Sequence, residues 1–265
     1  MPHFIRLIKR GFLMLNRYKI IVSYDGTAYH GWQVQKTLPT VAGTMQKAFR
    51  DVFNTDISLL GASRTDAGVH ALGQVATFCT DLRVEPRGMF HAWSNSLPVD
   101  IVIRSLELVS ADFNPHHDVE YKLYQYHFFV SRPLPLVQRY GWFFRLPVDL
   151  EKLQECLQVF VGTHDFRSFC TGDEKGDDTI RTIDSITLSY HEPFNAYRIQ
   201  VRGQRFLQYM IRRMVGAALD VAARKMVSSE YLRQVLAEKN PRQNLINAPA
   251  QGLLLHEIMY KKVRL

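Results

Sequence analysis

One order of strand and helix patterns occurs twice along this chain, and this repetition constrains the fold more than any other feature. From residue 17 to 109, a strand pattern of alternating apolar residues is followed by an amphipathic helix, two strands, a second helix and a fourth strand. The second helix is expected over 86–97, since Pro98 follows it directly. The first half of the chain therefore predicts the order βαββαβ.

The second half repeats this order with one helix added. Its first helix is predicted to begin at the N-cap Asp149 and to stop at Gly162, and a later helix is predicted to bury a stripe that begins at Phe206. A hairpin lies between these helices, and a short helix near 230–239 precedes the last strand. We predict an α+β fold of two tandem ferredoxin-like (βαββαβ) halves, with mostly antiparallel sheets flanked by helices.

The boundaries of these units follow from the same patterns. We predict an N-terminal extension over 1–16, an N-terminal half over 17–112 and a C-terminal half over 113–265, with a cleft where the halves meet. The leader is basic and partly apolar, but its apolar run is short and no small-residue cleavage site follows, so we predict neither a secretion signal nor a membrane span. Met14 is an alternative start. The acidic stretch 171–180 is expected to be a solvated loop.

Composition narrows the class of partner. The 265 residues are 46% hydrophobic, which is enough for a packed core, and the formal net charge of +8 favours a polyanion such as nucleic acid, although many basic proteins bind none. The three cysteines, Cys79, Cys156 and Cys170, form no CxxC pair. They encode neither a disulfide framework nor a zinc site, and a reducing cytoplasm is the expected setting.

Asp66 is the first candidate for chemistry. The stretch "GASRTDAGVHALGQVATF" places this carboxylate between Arg64 and Gly68, ahead of a strand pattern. Asp and Gly are common in tight turns, so the stretch alone favours a connecting turn over a catalytic residue.

Two adjacent arginines in the second half are candidate partners for this carboxylate. Arg212 and Arg213 are neighbours on a predicted helix and cannot share one of its faces, so either could point into the cleft and pair with Asp66. A guanidinium at about 4 Å contributes about 4 kcal/mol at an effective dielectric near 20, before the cost of desolvation, and favours the ionised carboxylate. An ordinary ion pair between the halves is the alternative interpretation.

An aromatic face on the strand "YKLYQYHFFV" offers a second feature. Tyr124, Tyr126 and Phe128 share one side with Lys122 at its end. Aromatic rings beside basic side chains suit the stacking of an unpaired base, whereas a strand face of this kind is more often core. The stretch "SYDGTAYHGWQVQ" at 23–35 is compatible with a hairpin end or a ligand loop, and the pattern favours the hairpin.

Other common catalytic motifs are missing from the sequence. The ten histidines show no HExxH or comparable ligand spacing, and no glycine-rich phosphate loop occurs. A metal-dependent hydrolase and the usual nucleotide enzymes are therefore poorly supported.

Seven motifs occur together in a fixed order, and the chain resembles the tRNA pseudouridine synthase A family in this respect. The motifs are "YDGTAYHGWQ", "SRTDAGVHALGQV", "KLYQY", "THDFRSF", "RTI", "GQRFLQYMIRRMVG" and "APAQGLLL". They extend from about residue 17 to residue 255. The resemblance implies the pseudouridine synthase fold and the conversion of uridine to pseudouridine at positions 38 to 40 of the tRNA anticodon arm, without a metal or organic cofactor.

The resemblance also implies roles for individual residues. Asp66 matches the catalytic aspartate, and Arg212 matches the arginine that pairs with it. Tyr124 matches the tyrosine that stacks on the target uracil, and Arg64 matches an arginine that helps to hold the flipped nucleotide. Further contacts with the substrate are expected from four residues, namely Lys122, Tyr126, Leu207 and Arg205. Members of the family are generally homodimers, so a homodimer with a basic groove is expected.

The sequence departs from the family pattern in few places. Ser63 stands where glycine usually precedes the Arg-Thr-Asp run, and the leader has no counterpart. The competing interpretation is a tRNA-binding or tRNA-folding protein without catalytic activity on the same scaffold, which would not need the carboxylate of Asp66.

Overall fold

The structure is a computed structural model that describes residues 15–170 and 178–261. Most of the predicted N-terminal extension and most of the predicted solvated loop, residues 1–14 and 171–177, lie outside the described residues. Among the described helices, none has the length and apolar character needed to cross a membrane.

The part of the chain that the structure describes contains ten strands in one sheet and five α-helices. The strands are β1 (Asn16–Tyr24), β2 (Leu60–Gly61), β3 (His70–Thr80), β4 (Ile101–Val109), β5 (Val119–Phe129), β6 (Trp142–Phe143), β7 (Gly162–Asp165), β8 (Ile180–His191), β9 (Ala196–Gly203) and β10 (Leu253–Tyr260). The helices are α1 (Val41–Phe53), α2 (Pro86–Asn95), α3 (Leu150–Gln158), α4 (Met210–Ala223) and α5 (Glu230–Glu238).

The two halves join in a single sheet with the strand order β4-β1-β3-β10-β5-β9-β8-β7. Within each half the long strands pair antiparallel, as in β1 with β3 and β5 with β9. The halves meet where β3 and β10 run parallel, with His70 opposite Leu254 and Ala71 opposite Leu255. The predicted α+β class with a mostly antiparallel sheet is confirmed, and the sheet is continuous across the two halves. The second half has two short strands, β6 and β7, beyond the predicted order.

Helices pack against the apolar side of this sheet. In the first half, β1 buries every second residue from Tyr18 to Tyr24, as a half-buried strand requires. Above it, the ring of Phe49 in α1 meets Trp93 of α2 edge to face, with ring centroids 4.9 Å apart. Trp93 also donates from Nε1 to the Met45 carbonyl at 3.0 Å, so this fully buried indole has its polar atom satisfied.

The second half follows the same plan. Asp149 caps α3 as predicted, accepting from the backbone N–H of Lys152 at 3.0 Å. The helix ends at Gln158, earlier than predicted, and Gly162, at φ +104°, begins β7.

Two local predictions are wrong. Helix α4 begins at Met210, because Tyr209 has a left-handed backbone (φ +60°) that a right-handed helix cannot include, so half-buried Phe206 lies before the helix. Residues 25–40 form a connection from β1 to α1 instead of a hairpin, since the neighbours of β1 in the sheet are β3 and β4.

Candidate active site

A cavity of about 590 Å³ lies between the two halves. The first half contributes Arg64 and Asp66 to its lining, and the second half contributes Tyr124, Leu207 and Arg212. The cavity therefore depends on the joining of the halves at β3 and β10, and neither half forms it alone.

Asp66 lies in the turn that leads into β3. The backbone N–H of Val69 donates to the Asp66 carbonyl at 3.1 Å, and Gly68 has φ +77°, a conformation that favours glycine. The hydroxyls of Tyr24 and Thr65 are 2.7 Å apart and tie the turn to the end of β1. Asp66 is thus a turn residue whose side chain also faces a cavity.

The connection between β1 and α1 supports this turn from outside. Trp32 donates its backbone N–H to the Thr65 carbonyl at 3.1 Å, and Gly68 donates to the Tyr29 carbonyl at 3.1 Å. Gly31 makes this close approach possible, since a Cβ atom there would lie 2.5 Å from the Thr65 carbonyl oxygen. The segment 25–40 therefore fixes the backbone beneath Asp66.

Arg212 of α4 forms an ion pair with Asp66, with Nη1 of the arginine 3.3 Å from Oδ2 of the aspartate. The exposed fractions of the two side chains are 12% and 17%, so the pair is largely removed from solvent. The guanidinium also donates from Nε to the Ala248 carbonyl at 2.7 Å and lies over the Tyr209 ring, 5.2 Å from its centroid. Three groups thus fix the orientation of Arg212.

Burial and the ion pair act on Asp66 in opposite directions. Burial raises the pKa of Asp66 above its usual value, and the charge and hydrogen bond of Arg212 reduce this rise without cancelling it. A buried carboxylate in this setting is less hydrated than one in water and is a stronger base and nucleophile.

Arg213 points away from this pair. Its Nη1 donates to the carbonyls of Ser168 and Cys170 at 3.3 and 3.1 Å, on the other side of the helix. The two neighbouring arginines therefore have different roles. Arg212 lines the cavity, whereas Arg213 stabilises the backbone around residues 168–170 through hydrogen bonds.

Tyr124 forms part of the cavity wall but is only 5% exposed. Its hydroxyl is 2.8 Å from Oγ of Ser63, and its ring meets Phe206 edge to face at 5.2 Å. Burial raises the pKa of Tyr124 to about 12, with a smaller opposing effect of the Ser63 hydrogen bond. The phenol is therefore protonated at neutral pH, and Ser63, the departure noted in the sequence, is its partner.

The remaining predicted site residues separate into two groups. Arg64, Leu207 and Lys122 line the cavity, and Arg205 lines an adjoining one. Tyr126 does not line the cavity: it is 0% exposed, and its hydroxyl donates to the Pro249 carbonyl at 2.9 Å. This location does not fit the expected contact of Tyr126 with the substrate. The face of β5 that carries both tyrosines lines the cavity at Tyr124 and continues into the core at Tyr126.

Several cavity residues were not singled out from the sequence. His30, Gln33 and Gln35 come from the segment interpreted as a hairpin end, and Tyr209 and His116 come from connections before α4 and β5. For the first three, the only indication in the local sequence was the histidine and the amides of the "HGWQVQ" run. This indication is weak, because polar side chains are equally common in ligand-binding loops and in turns. Among the described residues, no group of three His, Cys, Asp or Glu side chains converges as a metal site would require.

Comparisons with known proteins place the chain among similar sequences. The family model described as tRNA pseudouridine synthase matches residues 20–118 and 156–261. The chain is 36% identical over 243 residues to tRNA pseudouridine synthase A of Thermoanaerobacter sp., covering 91% of this chain and 98% of that protein. The corresponding enzyme of Brevibacillus brevis is 36% identical over 248 residues, with 93% and 100% covered, and that of Pseudothermotoga lettingae is 34% identical over 245 residues, with 92% and 99% covered. Among solved structures, a chain of a Cbf5-Nop10-Gar1 complex aligns over 76% of this chain and 45% of its own length, at 11% identity and a TM-score of 0.34.

Proposed function

Since this chain belongs to the tRNA pseudouridine synthase family, we propose that it converts uridine to pseudouridine at positions 38, 39 and 40 of the tRNA anticodon arm, with Asp66 as the catalytic carboxylate. The observation that supports this role best is the ion pair between Asp66 and Arg212 in a cavity between the halves. A carboxylate in such a cavity would repel RNA phosphates, so a protein that only binds RNA has no use for it.

The reaction is an isomerisation. The bond from ribose C1′ to uracil N1 breaks, the base turns, and C1′ joins C5; C5 loses a proton and N1 gains one, so no atom is lost overall. An ionised carboxylate starts this exchange by adding covalently to the sugar or the base, or by taking the proton at C2′. Each route requires Asp66 without its proton, which Arg212 favours against the effect of burial.

We propose that other residues of the cavity bind and orient the nucleotide. A uridine in a stem-loop must leave its stack before its sugar reaches a side chain, at a cost of about a few kcal/mol. We propose that Tyr124 offsets part of this cost by contact with the uracil and that Arg64 holds the nucleotide from the exposed side of the turn. The buried, protonated Tyr124 hydroxyl can donate a hydrogen bond at the wall of the cavity.

We also propose that the protein works as a homodimer. On a single chain, the apolar side chains Val99 and Leu136 are 102% and 85% exposed. A third cavity, mostly apolar, is lined by Leu72, Val99 and Val102 beside β4. Exposed apolar area of this kind favours association. Light scattering after gel filtration measures the mass, and a monomeric mass would contradict the proposal.

The experiment that tests the catalytic proposal is the substitution Asp66→Asn, which keeps the shape of the side chain and removes its charge. We expect tRNA binding within a few-fold of wild type and a fall in pseudouridine formation by a factor on the order of 10³ or more. Pseudouridine is mapped in purified tRNA after incubation with each protein. A rate near that of wild type would contradict the catalytic role and favour a binding or folding protein.

A further inference from the structure

A second cavity, of about 600 Å³, adjoins the catalytic one. The two cavities share three lining residues, His116, Lys122 and Phe206, so they form one continuous depression. Lys122 stands at the shared wall: its Nζ donates to the Ala62 carbonyl at 2.8 Å and lies 3.5 Å from Oγ of Ser63, the partner of the Tyr124 hydroxyl. A polymer with one unit in the catalytic cavity therefore reaches the second cavity with a neighbouring unit.

Three cationic side chains line the second cavity, Lys122, Arg181 and Arg205. His116 and His117 also line it, and Asp118 is the one acidic residue of this lining. Arg205 is exposed and forms no hydrogen bond or ion pair with any other residue that the structure describes. Positive groups that face one cavity repel each other, and an anion bound between them reduces this repulsion.

Arg181 is the third cationic side chain of this lining, and it is held in place. Its Nη1 donates to the carbonyls of Asp178 and Ile180, at 2.9 and 2.7 Å, and lies 3.4 Å from Oδ1 of Asp178. Its Nε is buried and has no hydrogen-bond partner among the described residues, so a contact with a ligand in the cavity has to come from the other atoms of the side chain.

We propose that the second cavity is a phosphate subsite, which holds the RNA backbone phosphate next to the nucleotide in the catalytic cavity. This proposal rests on the proposed function, because the polymer is taken to be RNA. A phosphate joins Lys122, Arg181 and Arg205 across the cavity, since each donates N–H groups to oxygen and none accepts. Burial, together with the charge of Arg205, already lowers the pKa of Lys122 to about 8, as expected for an ammonium that lacks an anion.

The test compares Arg205→Gln with Arg87→Gln. Both remove one positive charge from an exposed arginine, and Arg87 lies in α2, away from both cavities. The probe is a tRNA anticodon stem-loop, titrated at several salt concentrations. For Arg205→Gln we expect weaker binding, and a slope of log affinity against log salt that is smaller by about 0.7 to 0.9, the value for one lost phosphate contact. For Arg87→Gln we expect the affinity and slope of wild type.

A chemical change in the RNA identifies the phosphate. We expect a neutral methylphosphonate beside the target uridine to weaken binding to wild type and to cause no further loss in Arg205→Gln, since both remove the same contact. Additive losses at every linkage, or equal slopes for Arg205→Gln and Arg87→Gln, would overturn the subsite. If wild type forms no pseudouridine in tRNA, the proposed function fails; if it does and the two variants bind alike, only the subsite fails.

Discussion

Nη1 of Arg212 lies 3.3 Å from Oδ2 of Asp66, although 146 positions separate the two residues in the chain. The first lies on α4 and the second in the turn before β3, so this contact links the two halves at the cavity. Its electrostatic effect on Asp66 is smaller than that of burial, which raises the pKa of the carboxylate. The activity of the protein should therefore depend on pH in a way that reports on this pair.

The first prediction concerns Arg212→Met. Wild-type activity should fall as the pH is lowered through the raised pKa of Asp66, because the protonated acid is inactive. Without the guanidinium this pKa should rise further, so the acid limb of the rate profile should move to higher pH. The control is Arg213→Met, which removes hydrogen bonds to backbone carbonyls and should lower the melting temperature without moving the limb. Equal shifts in both variants would contradict the prediction.

The second prediction separates the ring of Tyr124 from its hydroxyl. Tyr124→Phe removes the 2.8 Å hydrogen bond to Oγ of Ser63 and should cost about 1 kcal/mol of stability, while substrate affinity is largely kept. Tyr124→Ala should weaken binding of the stem-loop by about 1–3 kcal/mol if the ring contacts the base. Affinity is measured by titration, and unfolding curves verify that both variants are folded. Equal losses of affinity would assign the effect to the hydroxyl instead.

The third prediction concerns the left-handed backbone of Tyr209. Replacement by glycine removes a backbone strain of about 1–2 kcal/mol and also removes the ring beneath Arg212. We expect Tyr209→Gly to keep its unfolding free energy within about 1 kcal/mol of wild type but to form pseudouridine more slowly. Tyr209→Phe keeps the ring and serves as the control. A glycine variant with the wild-type rate would show that the ring does not position Arg212.

The fourth prediction concerns the pH dependence of RNA binding. The pKa of Lys122 is lowered to about 8, so its positive charge is lost as the pH rises through this value. Arg205, His116 and Arg64 are the charged or titratable groups near it, and the Ala62 carbonyl and Ser63 hydroxyl contact its Nζ. Affinity for the stem-loop should decrease between about pH 7 and 9 in wild type and much less in Lys122→Arg, because arginine stays charged. An unchanged pH dependence in that variant would exclude Lys122 as its source.

Most of the secondary structure could be predicted from local patterns. The alternation in β1 and the cap at Asp149 are short-range signals, and both occur as expected. Two features were not predictable in this way. The parallel pairing of β3 with β10 joins residues that are far apart in sequence, and the start of α4 depends on one left-handed residue, Tyr209, within an otherwise helical pattern.

The candidate site shows the same division. The motif around Asp66 and the two arginines could be found in the sequence. The helix pattern left the choice between the arginines open, the resemblance implied Arg212, and the structure pairs Arg212 with the carboxylate. The sequence pattern also does not predict how deeply a side chain is buried. Tyr124 and Tyr126 lie on the same face of β5, but Tyr124 forms part of the cavity wall, whereas Tyr126 is enclosed in the core.

The pairing of β3 with β10 has a consequence for synthesis of the protein on the ribosome. β10 follows all the other described strands in sequence, and it lies in the middle of the sheet, between β3 and β5, which are made much earlier. A nascent chain that stops before residue 253 lacks the strand that joins the two halves in one sheet. The catalytic cavity is therefore completed only after β10 has been synthesised, and polypeptides truncated before this strand cannot present a finished site to RNA.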